Sequence, residues 1–390
     1  MRRARALVVV GNGEGGGTQI ALDAIRALDP LRYEVTLVAP QTDARANVCA
    51  AIGVTYAPLP LLDSRVGREV IARLGALMAV HQFDLIHAHG TRAAWFVTRC
   101  LPPHGAPPLI YSDHVFGFEA RRGLARAPWL AMEAYLCRHA SHVTAPCERD
   151  SRFAERVRRP RAPAVRIRHY GVDARAVLAQ AQTPDATALA LAQRFPPHAP
   201  LIGSAGRLIR QKGLRYLVEA APDILRARPD AHFLIVGDGP ERESLQARSH
   251  ALGVGTRFHF VGALAHPWAL LARCDVIALP SLWEGMPLTL LEALALGLPV
   301  VMTPVGIAPE ALRPDFSACL TPRGDARALA HAIRRTLDDH TLRERFEREG
   351  PRIVARYDIR DTRRAFVALY DDICSDRVGS QGDPSGALGG

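Results

Sequence analysis

The 390-residue chain has no C-x-x-C pair and no zinc-like spacing among its seven cysteines, Cys49, Cys100, Cys137, Cys147, Cys274, Cys319 and Cys374. That excludes a zinc ribbon or finger and a dithiol redox motif, and the cysteines read as small buried hydrophobes of a reducing, cytoplasmic setting. Aromatic residues make up only 6%, and no stretch alternates them with basic residues, so a base-stacking nucleic-acid platform is not expected. Long unbroken apolar runs are missing too. The N-terminal run stops at Gly11, too early for a signal-peptide core, and Leu288 to Val305 is interrupted by Glu292, Gly297, Pro299 and Pro304, so no membrane span is expected. Acidic residues are in the minority, 39 against 49 Lys and Arg, for a net charge of +10. An anionic partner follows from that sign, which leaves nucleic acid, a phosphate-bearing ligand and an acidic membrane surface all open.

What is present is ample apolar material, 48% of residues with 23% charged, in a chain long enough for two ordinary domains. Short strand-like runs, each followed by a turn signal and a helical pattern, occur at Ala6 to Val10, Glu34 to Val38, Leu85 to His87 and Leu109 to Tyr111. The alternation restarts at Leu201 to Ala205 and continues through His232 to Val236, Phe258 to Val261, Val276 to Leu279 and Pro299 to Met302. This predicts an α/β protein with two doubly wound parallel sheets. The expected divisions are a first domain over 1–175, one helix and a linker ending at 200, a second domain over 201–358, a helix over 359–374, and a disordered Gly, Ser, Asp and Pro tail over 375–390.

Gly11, Gly13 and Gly16 satisfy G-x-G-x-x-G after a strand. A dinucleotide site also requires an acid at the end of the second strand, and that strand ends Val38-Ala39-Pro40, which speaks against a dehydrogenase. What survives is a helix start at which Gly16 and Gly17 allow an anionic ligand close to backbone amides; a tight turn without ligand is the plain alternative.

In the second half, Gly206-Arg207 and Gln211-Lys212-Gly213 put two cations in the loop after a strand, where open α/β sheets bind ligands. Arg207 can clamp a phosphate with paired N–H groups and Lys212 can add a mobile charge; two solvated surface cations would read the same in isolation. After the strand Val276 to Leu279 comes Ser281 to Glu292, with Pro287 suited to open a helix and Gly297 to close it. The helix start offers amides to an anion near Glu284 and Gly285. Glutamates there suit a ligand that carries hydroxyls on both sides of its phosphates, although a helix-capping Glu284 and a half-exposed Glu292 are the ordinary alternatives.

Together these residues resemble the retaining glycosyltransferases of family 4, with the GT-B architecture of two Rossmann-like domains facing across a cleft. The likeness rests on Glu284 and Glu292 as E-x7-E within Pro280-Ser281-Leu282-Trp283-Glu284-Gly285, on the Arg207 and Lys212 loop, and on Val236-Gly237-Asp238-Gly239-Pro240, Asp275 and Gly171-Val172-Asp173. Gly15-Gly16-Gly17, Asp84 to Gly90 and Tyr111-Ser112-Asp113-His114 carry it in the first half. Trp283 and Met286-Pro287 depart from the common pattern and leave the donor sugar open.

The resemblance implies that Glu284 contacts donor-sugar hydroxyls, that Glu292 holds the ribose, and that Arg207 and Lys212 take the diphosphate. The backbone from Gly285 through Met286 and Pro287 to Leu288 completes the phosphate site. His114 faces the donor from the first domain, which binds the acceptor, and the helix 359–374 crosses back to that domain. It also implies a UDP-, GDP- or ADP-sugar donor, a saccharide or lipid-linked acceptor, and a place in polysaccharide or lipopolysaccharide biosynthesis. Neither a D-x-D motif nor a ligand cluster for a divalent ion is present, so metal-independent transfer without a cofactor is expected. Arg121, Arg122 and Arg126 with Trp129, and a second group, Arg152, Arg156, Arg158, Arg159, Arg161, Arg166 and Arg168, suggest either peripheral contact with an anionic membrane or a plain solvated basic surface. A nucleotide-sugar epimerase and a non-catalytic nucleotide-sugar or nucleic-acid binding protein are the competing readings.

Overall fold

The computed structural model describes residues 2–11, 15–63, 67–121, 123–158, 165–167, 169–312 and 316–380. They form two compact units, one of residues 1–170 with 360–390 and one of residues 171–359. Gly13, Arg122, Arg159, Arg161, Arg168 and the tail from 381 lie outside the described residues, as does the side chain of Arg166.

The first unit is built on seven parallel strands: β1 (Ala4–Val10), β2 (Tyr33–Ala39), β3 (Thr55–Pro58), β4 (Leu85–His89), β5 (Leu109–Ser112), β6 (His142–Thr144) and β7 (Val165–Ile167). Their order is β3-β2-β1-β4-β5-β6-β7. The chain therefore reverses its direction of travel between β1 and β4, and at such a point a crevice opens beyond the carboxyl ends of the strands. Leu7, Val9, Ile86, Ala88 and Tyr111 are fully buried in the core, as strands covered by helices on both faces require. Of the second arginine group, Arg158 is no solvated cation: its guanidinium donates to the carbonyls of Cys137, Ala140 and Ser141 and so satisfies the end of the helix Ala127–His139.

The second unit carries five parallel strands, β8 (Leu201–Ala205), β9 (His232–Val236), β10 (Phe258–Gly262), β11 (Val276–Leu279) and β12 (Val300–Met302), ordered β10-β9-β8-β11-β12. Its reversal falls between β8 and β11, the two strands whose loops hold Lys212 and Glu284. Residues 174–200 contain two helices, Ala174–Gln182 and Ala186–Ala192, rather than one helix and a linker. Asp173 and Asp185 each accept the amide three residues on and nucleate them, and both helices pack on Trp268–Leu271 within the second unit.

The final helix runs Ile359–Ser380, so residues 375–380 are helical and not part of a disordered tail. Phe366, Leu369, Tyr370 and Ile373, each no more than 3% exposed, bury its apolar stripe in the first unit. All seven cysteines are free thiols, five of them buried. No described helix is long and apolar enough to cross a membrane.

Candidate functional site

The second unit brings the loops after β8 and β11 into contact. Gly213 has φ +62°, and a Cβ there would run into the carbonyl of Pro280, so only glycine lets the loops close. The amide of Leu282 then reaches the carbonyl of Gln211 at 2.7 Å. Lys212 Nζ consequently donates to Glu284 Oε1 at 2.6 Å, beside Ser281 Oγ at 3.0 Å, while Gln211 Nε2 donates to Oε2 at 3.1 Å. Thr303 Oγ1 donates to the carbonyl of Ser281 and fixes that turn. The Glu284 side chain is 8% exposed, and at such burial a lone carboxylate would be costly; the three donors compensate it. Of its roughly four acceptor positions, about one remains for a ligand hydroxyl.

Glu292 lies in the helix Leu288–Ala295, whose N-cap is Pro287, one position earlier than a first helical residue. It keeps some accessible surface yet is closely surrounded by protein, and burial pushes its carboxyl up to about 7. The Trp268 indole and the charge of Lys212 pull the other way. That indole N–H is buried without a partner in good hydrogen-bond geometry, so its effect on Glu292 is one of proximity. Arg207 is exposed on the same loop as Lys212, Gly285 and Pro287 are buried, and Met286 and Leu288 are half-buried between the two glutamates in sequence. Among the described residues no group of His, Cys, Asp and Glu could hold a metal ion.

Gly16, Gly17 and His114 belong to the first unit. The helix Gly16–Arg26 opens at Gly16 itself, with Gly15 as its N-cap at φ +145°. A Cβ on Gly17 would lie 2.8 Å from His114 Cδ2, so this glycine makes room for the imidazole. His114 Nε2 and His89 Nδ1 are 3.1 Å apart, and burial brings His114 down to about 4. Behind them runs a buried hydrogen-bond chain whose direction is fixed by its end. Tyr170 Oη donates to the carbonyl of Asp113 at 3.0 Å, an atom that can only accept. It must then accept from Thr144 Oγ1, Thr144 from Ser112 Oγ, and Ser112 from His87 Nε2, at 2.8, 2.6 and 2.6 Å. Burial, with a smaller push from His114, holds His87 neutral, down to about 3, so its Nδ1 accepts from Tyr370 Oη at 2.8 Å. Asp113 beside this chain is fully buried, both carboxylate oxygens lacking a partner in hydrogen-bond geometry. Burial, with Asp150 and Glu133 nearby, raises its pKa well above the usual range against the weaker opposing pull of Arg149 and the Val115 amide.

Sequence reasoning missed Gln211, Ser281, Thr303 and Trp268 as supports of the site, and the whole chain from Tyr370 to Asp113. One signal for the site was in plain sight: Lys212 is the sole lysine among 49 Lys and Arg. Everywhere else this chain uses arginine, and a lysine differs from it in offering a compact, flexible ammonium. A separate cavity of about 1190 Å³ opens in the first unit, lined among others by Arg2, Arg32, Asp84 and Asp371. Those charges pair with one another, Arg2 with Asp84 at 2.7 Å and Arg32 with Asp371 at 2.8 Å, and the cavity contains none of the residues above.

A model described as Glycosyltransferase Family 4 matches residues 14–176, and one described as Glycosyl transferases group 1 matches residues 190–352. Among curated relatives, the alpha-D-kanosaminyltransferase of Streptomyces kanamyceticus is 26% identical over 322 residues, 79% of each chain. The 2-deoxystreptamine N-acetyl-D-glucosaminyltransferase of Streptomyces fradiae is 28% identical over 341 residues, 80% of this chain and 79% of that one. Among solved structures, sucrose-phosphate synthase from Thermosynechococcus elongatus superposes with a TM-score of 0.77 at 22% identity, over 96% of this chain and 100% of that one. Anabaena HepE in complex with UDP and glucose gives 0.75 at 20% identity, over 95% and 100%. Matched in both halves by models of sugar transfer and sharing the two-sheet GT-B fold of these structures, the chain belongs to the family 4 glycosyltransferases.

Proposed function

We propose that this glycosyltransferase takes its sugar from a nucleotide-diphosphate donor held in the second unit, with retention of anomeric configuration and without a metal ion. The observation that carries the reading is the Glu284 carboxylate gripped by Lys212 at 2.6 Å at the sheet's reversal point. A lysine ammonium has three donors. One on Glu284 leaves others for a leaving diphosphate, while Glu284 accepts from a sugar hydroxyl. Arg207 and the backbone from Gly285 to Leu288 supply further donors where negative charge grows as the nucleotide departs, the usual means of lowering such a barrier. Glu292 takes the ribose hydroxyls, and His114, with Gly16 and Gly17 behind it, meets the donor from the first unit. HepE, a structural neighbour, is seen with UDP-glucose, which favours a UDP-sugar first among UDP, GDP and ADP donors. An epimerase or a non-catalytic binder is not favoured by the family to which the chain belongs.

The acceptor is a saccharide or lipid-linked saccharide. The proposed setting is cytoplasmic with peripheral contact at an anionic membrane, supported by Leu124, 94% exposed between Arg121 and Arg126; flotation with vesicles containing and lacking anionic lipid tests it.

Because Lys212 is the only lysine, an amine-directed acetylating reagent reads the donor site directly. In chelator, a saturating UDP-sugar should protect Lys212 from acetylation by mass spectrometry and stabilise the protein by about 2.7 kcal/mol at a hundredfold excess over Kd. Full labelling of Lys212 under saturating UDP-, GDP- and ADP-sugars would remove it from the donor site.

A further inference from the structure

We propose that His89 is a positioning residue that fixes the tautomer of His114. By donating from Nδ1 to His114 Nε2, it leaves the His114 proton on Nδ1, so that His114 meets its ligand as a hydrogen-bond donor and not as a base. The proposal deepens, and rests on, the reading of His114 as a donor-site residue.

The two nitrogens are 3.1 Å apart, and the rings stack with centroids 5.3 Å apart. Burial keeps both imidazoles neutral, with one N–H each, so a single N–H lies between the facing nitrogens and one of two arrangements must hold. Their outer nitrogens, His89 Nε2 and His114 Nδ1, are both enclosed and without a partner. If His114 were the donor, the unsatisfied N–H would sit on His89, which is 0% exposed and lies 3.9 Å from the His87 ring. His87 cannot accept it, since Tyr370 and Ser112 occupy both its nitrogens. An orphaned buried N–H is among the costliest polar defects. If His89 is the donor, the unmatched N–H falls on His114 Nδ1, enclosed as well, but on a half-buried residue just past the carboxyl end of β5, where a small movement of the ring brings it to a ligand oxygen.

The helix beside His114 pushes the same way. His114 Nε2 lies 3.3 Å from where a Cβ of Gly17 would be, against the first turn of Gly16–Arg26. Free amides and the positive end of the helix dipole favour a lone pair there over a second N–H. The other titratable ring facing His114, Tyr170, is already committed to Asp113 and Thr144.

The test is long-range proton–nitrogen correlation on the full chain labelled with 15N-histidine, without ligand, with His114 assigned by its loss in His114→Gln. The expected spectrum shows His114 protonated at Nδ1 and bare at Nε2. His89→Leu should abolish that preference and lower kcat about tenfold or more with little change in the KM for donor. His89→Asn, whose amide can still donate, should restore both. A wild-type spectrum with His114 protonated at Nε2 overturns the proposal, and decides it even if His89→Leu fails to fold. So does a folded His89→Leu in which the tautomer and kcat are unchanged while His114→Gln loses activity. Unchanged kcat in His114→Gln instead removes His114 from the donor site, a separate failure of the underlying reading.

Discussion

Glu292 shows how one residue can make this site sensitive to pH. Burial lifts its carboxyl from 4.5 to about 7, so the folded chain holds that proton more tightly than the unfolded chain does. Its contribution to stability is therefore complete below about pH 4.5 and is lost as pH rises through about 7. Over that window the loss is on the order of 3 kcal/mol at most, since part of the side chain meets solvent. Under the proposed role of Glu292, donor affinity should run in the opposite sense, because hydroxyls donate better to a carboxylate than to a carboxylic acid. Melting and donor titrations from about pH 5 to pH 8 should show both trends in the wild type, and Glu292→Gln should flatten both while weakening binding. If the variant keeps the wild-type pH dependence, the proton belongs to another group.

At the level of elements, the proposed donor site depends on two loops meeting, and Gly213 is where they do so. Gly213→Ala places a Cβ against the Pro280 carbonyl at a φ of +62° that alanine adopts only under strain. The expected cost is about 1–3 kcal/mol of stability, together with a loss of turnover larger than that destabilisation explains, since Lys212 and Glu284 ride on the displaced loops. Thermal melting and kcat measured on the same sample separate the two effects. These loops were legible because β8, β11 and the helix after them carry long apolar runs punctuated by Gly and Pro. The strands β3, β6 and β7 were not, since Thr55-Tyr56-Ala57-Pro58, His142-Val143-Thr144 and Val165-Arg166-Ile167 place polar residues or proline among their few apolar ones. Nor was the helix Ala186–Ala192, before which Pro184 reads as a break while the capping role of Asp185 depends on geometry. The chain of hydrogen bonds from Tyr370 to Asp113 is hidden for another reason: His87 and Tyr370 are 283 positions apart, and no local pattern ties them together.

On the scale of the whole molecule, the polypeptide leaves the first unit at residue 170, builds the second, and returns at residue 360. The first unit is thus completed by its most distant segment. Phe366, Leu369, Tyr370 and Ile373 are each almost fully buried there, and the helix adds Arg363 to Asp23 at 3.0 Å and Asp371 to Arg32 at 2.8 Å, with Tyr33 also donating to Asp371. Burial of four such side chains contributes about 6–12 kcal/mol at about 1.5–3 kcal/mol each, comparable to the total stability of an ordinary domain, about 5–15 kcal/mol. A chain ended after Ile359 should therefore lose the fold of the first unit while keeping that of the second. Proteolysis should digest residues 2–170 and spare 171–359, and a UDP-sugar should still protect Lys212 in the surviving fragment. Tyr370→Phe, which removes only the donor to His87, should cost the first unit about 1–3 kcal/mol by leaving His87 Nδ1 unpaired. A truncated protein whose first unit melts as the intact one does would mean that the seven-stranded sheet is self-sufficient, and that the returning helix closes the chain without stabilising it.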